Sequence, residues 1–357
     1  MKGLALEGGG AKGSYEIGAY IALKELGYKF DMVAGTSIGS LNAALIVQGD
    51  IELAKKLWMS ANSEIVGINK EIVKTYKNFE INKENITKSI TEIRKIIQNK
   101  GLDISNYKEM INKYVNEEKV RKSKINYGLV TVRLKDLKPL ELTIKEIEEG
   151  KLADYIMASS YLPGFKMNKI IDDSFYLDGG FSNNLPITLL EKHGCNEVVA
   201  IRINGIGPTK KSNIINKNII ELAPTKNTGP VLMFDNNDIK NNFYMGYYDT
   251  LLYFNKLHGF KYYFKKFYFY KFLSRKVNEN LTNLIKLKYK TPDIKDSIIK
   301  SIEEIMEDNK LEYYKIYSIQ KILKYIKKNK LKSKNSLVTE FVYKLKYFYW
   351  KTYKKNI

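Results

Sequence analysis

The chain has 357 residues and 44% hydrophobic content, enough for a full α/β domain with its own core and a smaller companion. One cysteine, Cys195, excludes an internal disulfide framework. With only His193 and His258 beside it there is no ligand cluster, so neither a metal nor a cofactor is expected. Lys and Arg number 60 against 39 Asp and Glu, a net charge of +21, and no run of 18 apolar residues offers a transmembrane helix.

In chain order, residues 2–7 (KGLALE) read as a short buried strand stopped by Gly8-Gly9-Gly10. From Ala11 to Leu26 the apolar spacing of Ile17, Tyr20, Ile21 and Leu26 is helical, and Gly27 supplies a left-handed stop. Met32-Val33-Ala34 reads as a second strand, followed without a linker by Gly35-Thr36-Ser37-Ile38-Gly39 and a helix to Gln48. This is a parallel β-α-β-α opening. The first residues, MKGLALEGGGAKG, carry an apolar patch too short for a signal peptide, so a cytoplasmic protein is expected.

Residues 51–124 are polar and helical in pattern, an excursion that could border the mouth of a site. Strands are expected at 125–134 and 139–144, and a helix at 151–158 leading into Ser159-Ser160-Tyr161-Leu162-Pro163-Gly164-Phe165. A strand from Ser174 to Leu177 ends in Asp178-Gly179-Gly180. A short helix at 186–192 and a strand at 197–203 follow. Composition changes after residue 205, which sets expected domains of 1–205 and 206–357, the second mostly helical.

Three motifs carry chemistry. A serine on a tight strand-to-helix turn is pushed clear of the backbone, and Gly35 and Gly39 let the turn close. The helix behind it favours negative charge at Ser37. Glycines 8–10, with Lys12 and Gly13, let bare backbone N–H groups converge on an anion. In an acyl hydrolase that anion is the tetrahedral oxyanion. The same loop satisfies a dinucleotide fingerprint, with Asp31 at a plausible distance for a ribose-binding acid. That acid should end the second strand, however, whereas Asp31 precedes it. Asp178, flanked by Gly179 and Gly180, is the candidate base, since an unassisted serine hydroxyl is a weak nucleophile. A histidine triad through His193 or His258 is the rival, but an α/β-hydrolase needs several strands before its nucleophile. Residue 37 leaves room for one strand-helix unit.

The glycine loop, the GTSIG elbow, ASSYLPGF and DGG, in that order, resemble the patatin-like phospholipase family over roughly residues 1–205. The resemblance implies a three-layer α/β/α fold with a mainly parallel central sheet. It makes Ser37 the nucleophile and Asp178 the base without histidine, with an oxyanion hole around Gly8, Gly9 and Gly10. It also implies hydrolysis of acyl esters of membrane glycerolipids without a metal. Lys12 falls at the family's basic position in the loop, and Glu7 stands where an aspartate is often found. Ser159, Ser160 and Pro163 fall in the family's third block, which lines the pocket or supports the loop carrying Asp178. The alternative is a non-catalytic nucleotide- or anion-binding module on the Gly8–Gly13 loop.

Most of the positive charge is C-terminal: residues 211–357 hold 30 Lys and Arg against 13 Asp and Glu, and 28 of the 44 aromatic residues follow residue 205. Lysines interleaved with rings suit peripheral docking on an anionic membrane. A helical packing domain with solvated lysines explains the same composition, and no stacking platform or groove-entering helix points to nucleic acid.

Overall fold

Seven strands build the first sheet: β1 (Lys2–Leu6), β2 (Met32–Thr36), β3 (Asn126–Arg133), β4 (Lys138–Thr143), β5 (Tyr176–Asp178), β6 (Glu197–Ile201) and β7 (Ile219–Leu222). They come from a computed structural model describing residues 1–62, 104–162, 165–166, 169–215 and 218–346. Along the sheet the order is β4-β3-β2-β1-β6-β7, with β5 also on β3. The inner pairs β3–β2, β2–β1, β1–β6 and β6–β7 are parallel, and β4 and β5 are antiparallel to β3. Every residue of β2 is buried, as expected of a parallel strand covered on both faces.

Helices α1 (Ser14–Glu25), α2 (Ile38–Val47), α3 (Ile51–Ser60), α4 (Ser105–Tyr114), α5 (Glu117–Lys122), α6 (Leu152–Ser159) and α7 (Ile187–Lys192) accompany this sheet. Two neighbouring residues of β3 identify the layers, because side chains alternate faces along a strand. The Tyr127 hydroxyl donates to the Ser40 carbonyl of α2. A methyl at Gly128 would lie 2.9 Å from Leu189 of α7. So α2 and α7 cover opposite faces, and the architecture is the expected α/β/α sandwich. On the α7 face Ala5, Met32, Ala34, Val130, Val198 and Ala200 pack under Ile187, Leu189 and Leu190.

The edge of β3 decides where the site forms. Strand β2 pairs with it as far as Thr36 opposite Val130, and β5 pairs with it from Asp178 opposite Thr131. Since β4 occupies the other edge over the same residues, β2 and β5 share one edge and meet end to end. The C-terminus of each strand therefore arrives at the same point.

The chain divides into two compact units, Met1–Thr250 and Leu251–Ile357. The first extends past the composition change at 206. It takes in β7 and most of α8 (Asn236–Tyr253), whose Asp249 accepts from Tyr15 of α1 at 3.2 Å. The composition changes within this unit, and the sheet continues past the change into β7. Strand β7 lies in the region read as mostly helical, its four residues too few to show alternation.

The second unit holds α9 (Tyr270–Ser274), α10 (Glu279–Tyr289), α11 (Ile294–Asp308), α12 (Ile319–Lys328) and α13 (Ser336–Lys344). Short strands β8 (Leu257–His258), β9 (Tyr263–Lys265) and β10 (Ile316–Tyr317) form a three-stranded sheet. Its core takes many of the aromatics: Tyr262, Phe264, Phe267 and Phe341 are buried with Leu273, Ile302 and Leu323. The buried Glu303 carboxylate accepts the backbone N–H groups of Phe260, Lys261 and Tyr262, tying α11 to the loop before β9. Among the described residues no helix is long and apolar enough to cross a membrane. The expected helical excursion falls largely outside the described residues, and α3, α4 and α5 are its described parts.

Candidate active site

Ser37 sits between the end of β2 and the start of α2 with φ +55° and ψ −127°, a conformation a non-glycine residue holds only when its surroundings impose it. Crowding explains the flanking glycines. A methyl at Gly35 would lie 2.0 Å from the Gly39 carbonyl oxygen, and one at Gly39 would lie 2.7 Å from the Leu6 carbonyl oxygen. No Cβ fits either place, so the sequence keeps glycine two residues before and two after the serine.

The Ser37 hydroxyl donates to Asp178 Oδ2 at 2.5 Å, and the other carboxylate oxygen accepts the Gly180 N–H at 2.7 Å. Asp178 is 4% exposed. Burial pushes its carboxyl up to about 6, outweighing the Ser37 and Gly180 hydrogen bonds that favour the charged form. A carboxylate short of water and bonded to a serine hydroxyl can take that proton near neutral pH. Gly179 and Gly180 form a tight turn directly after β5.

Beside the serine runs the glycine loop. Gly10 has φ +57°, and a methyl there would meet the Val231 carbonyl oxygen at 2.2 Å. The Ala11 N–H donates to that same oxygen. Gly8 donates its N–H to the Asn184 carbonyl, and Asn184 Nδ2 returns a bond to the Gly8 carbonyl. Gly8 is therefore a fixed point of the loop and has no N–H to offer an incoming anion. The N–H groups of Gly9 and Gly10 have no acceptor among the described residues. Gly13 opens α1, and its carbonyl accepts Asn42 of α2.

The family model for patatin-like phospholipases matches residues 4–190, more than half of the chain. The chain belongs to the patatin-like phospholipase family. Rat patatin-like phospholipase domain-containing protein 7 is 25% identical over 217 residues, 59% of this chain and 14% of that protein. Lysophospholipase NTE1 of Saccharomyces cerevisiae is 26% identical over 202 residues, 56% of this chain and 11% of that protein. The chain thus spans about a seventh or less of these relatives. Among solved structures, VipD from Legionella pneumophila aligns over 92% of this chain and 79% of its own, with 16% identity and a TM-score of 0.42.

The remaining residues of the patatin-like pattern divide between the site and its scaffold. Lys12 is buried and donates through Nζ to the Asn204 carbonyl at 2.7 Å, and burial lowers its pKa. Glu7 is also buried. It accepts the backbone N–H groups of Ile203 and Gly205, and burial raises its pKa. Both side chains fasten the glycine loop to the segment after β6. Ser160 bonds the Tyr107 hydroxyl at 3.1 Å, and Pro163 lies outside the described residues.

Neither histidine is the partner of Ser37 Oγ. His193 is exposed at the end of α7, and His258 lies in β8 with its ring edge against Phe267. Asp31 accepts the Lys2 N–H at the beginning of β2, the opposite end of the strand from the glycine loop. Sequence reasoning did not single out Asn183 or Asn184. The Asn183 carbonyl accepts the Thr36 hydroxyl, and Asn184 holds Gly8. Their position just after the DGG turn was the available signal.

Proposed function

We propose that this chain is a serine lipid acyl hydrolase that cleaves acyl esters of membrane glycerolipids through Ser37 and Asp178. The observation that carries the reading is the 2.5 Å bond from the Ser37 hydroxyl to a buried carboxylate, made from a strained backbone seat at the head of a helix. Ser37 Oγ attacks the ester carbonyl carbon while its proton passes to Asp178 Oδ2. The oxyanion that forms is received by the N–H groups of Gly9 and Gly10, and such donors are each worth about 100- to 1000-fold in rate. Collapse expels the glycerolipid alkoxide, which takes the proton from Asp178 and leaves an acyl-Ser37. Water then attacks this ester, giving its proton to Asp178, and the departing Ser37 oxygen recovers it as the fatty acid leaves.

The nucleotide-binding alternative is weaker, because Gly8 has no N–H to give a phosphate and Asp31 is engaged at the far end of β2. A fluorophosphonate probe separates the two readings. Hydrolase chemistry predicts covalent labelling at Ser37, abolished in Ser37→Ala and suppressed in Asp178→Asn; absence of labelling in the folded protein would favour a binding module.

The substrate is presented at a membrane, and the second unit has a surface suited to docking there. Between Glu312 and Glu340 the sequence has eight lysines and no acidic residue. Helix α12 buries Ile319, Ile322, Leu323 and Ile326 in the core and exposes Lys321, Lys324, Tyr325 and Lys328. Its apolar face is already occupied, so this reading is of a flat cationic face resting on anionic headgroups rather than a helix inserted among the acyl chains.

A further inference from the structure

We propose that the Ser159 hydroxyl is a positioning residue for Ser37, the link that holds the serine's strained seat against strand β3. The proposal rests on the reading of Ser37 and Asp178 as a working pair. The end-to-end meeting of β2 and β5 leaves a seam on the β3 edge between Val130 and Thr131. Here the chain must leave the sheet at Ser37 to form the elbow, and the backbone ladder does not cross the gap. Ser159, the last residue of α6 and fully buried, fills it. Its Oγ accepts the Ser37 N–H at 2.9 Å and donates to the Val130 carbonyl at 2.7 Å.

The consequence is directional. Fixing the Ser37 N–H holds the backbone at φ +55° and so the place of Cβ, from which Oγ reaches Asp178. Two residues further on, the Tyr161 carbonyl accepts the Asp178 N–H at 2.8 Å. One three-residue segment therefore holds the backbone amides of both partners, and the intervening Ser160 is tied to the buried Tyr107 hydroxyl. Of the three, Ser159 alone acts on Ser37 through a side chain, so it can be tested without altering the main chain.

Removing the hydroxyl leaves a buried N–H and a buried carbonyl short of a partner and frees Ser37 to relax from φ +55°. A misplacement of about 1 Å at a reacting atom can cost on the order of 100-fold in rate. The test compares wild type, Ser159→Ala, Ser159→Thr and Ser37→Ala on a soluble chromogenic ester, with fluorophosphonate labelling rates and thermal midpoints alongside. Expected for Ser159→Ala are a kcat lowered about 10- to 100-fold with KM within twofold, and a parallel fall in labelling rate. The midpoint of the pH profile should remain near 6, because the surroundings of Asp178 are kept. Ser159→Thr, which retains the hydroxyl, should recover most of kcat. If Ser159→Ala does not fold, Ser159→Cys, similar in volume and a poor acceptor, is judged by the same figures. A folded Ser159→Ala with wild-type kcat and labelling rate would overturn the proposal, whatever its thermal midpoint. Full activity in Ser37→Ala would instead remove the working pair itself.

Discussion

Thr36 and Asp178 lie opposite adjacent residues, Val130 and Thr131, on one edge of strand β3. The sheet register thus brings the residue after Thr36 within bonding reach of Asp178 across 141 positions of sequence. No long side chain has to span the gap. The two side chains are small, and backbone pairing sets their spacing.

Activity should follow the ionisation of Asp178. With Asp178 as the proposed base, kcat/KM on a soluble ester should rise about tenfold per pH unit below about 6 and level off above it. A profile flat from pH 5 to pH 8, measured with a substrate that does not itself titrate, would argue against Asp178 as the base.

The same carboxylate should cost stability. Its folded-state pKa of about 6 lies above the ordinary 3.8, so the folded chain holds this proton more tightly than the unfolded chain does. Stability from this group is therefore greatest below pH 4 and is lost as the pH rises towards 6. The displacement corresponds to about 3 kcal/mol as an upper figure. Asp178→Asn should lose activity yet melt higher than wild type at pH 8, with the advantage vanishing near pH 4. A lower melting temperature at pH 8 would contradict this.

Two glycines with positive φ should behave differently. At Gly10 (φ +57°) a methyl meets the Val231 carbonyl, whereas at Gly27 (φ +86°) it meets nothing within 4 Å. Gly10→Ala must shift the loop that carries the Gly9 and Gly10 N–H groups and should lower kcat at least 100-fold. Gly27→Ala should cost about 1 kcal/mol of stability through backbone strain alone and leave kcat as it was. Equal effects of the two substitutions on kcat would remove the glycine loop from the mechanism.

Vesicle binding tests the cationic face. Each lysine near an anionic surface contributes roughly 1 kcal/mol. Reversing Lys321, Lys324 and Lys328 to Glu should therefore weaken binding to phosphatidylserine-containing vesicles at least tenfold, with no change on neutral ones. Unchanged binding to the anionic vesicles would assign these lysines to ordinary solvation.

The first fifty residues were legible because strand, turn and helix are local, and each glycine of the elbow answers a steric demand within a few residues of itself. The pairing of Ser37 with Asp178 was legible only through motif order, because the register of β5 on β3 is a long-range fact. Ser159 shows the limit more sharply. Its type and its place at a helix end are visible, but its two partners, Ser37 and Val130, come from other parts of the chain. Gly8 is set apart as a donor by Asn184, a residue 176 positions away whose carbonyl takes its N–H. In the C-terminal unit, Tyr262 and Phe264 are core residues while Tyr268 is 73% exposed, and short alternations of ring and lysine do not separate these environments.

The central claim is tested most directly by the release of free fatty acid from phospholipid vesicles. Wild type, Ser37→Ala, Asp178→Asn and the double variant His193→Ala/His258→Ala are compared at pH 8. The account predicts release by wild type and by the histidine variant, and none above background by the two single variants. Release that survives in folded Ser37→Ala, or is lost in a folded histidine variant, would contradict it.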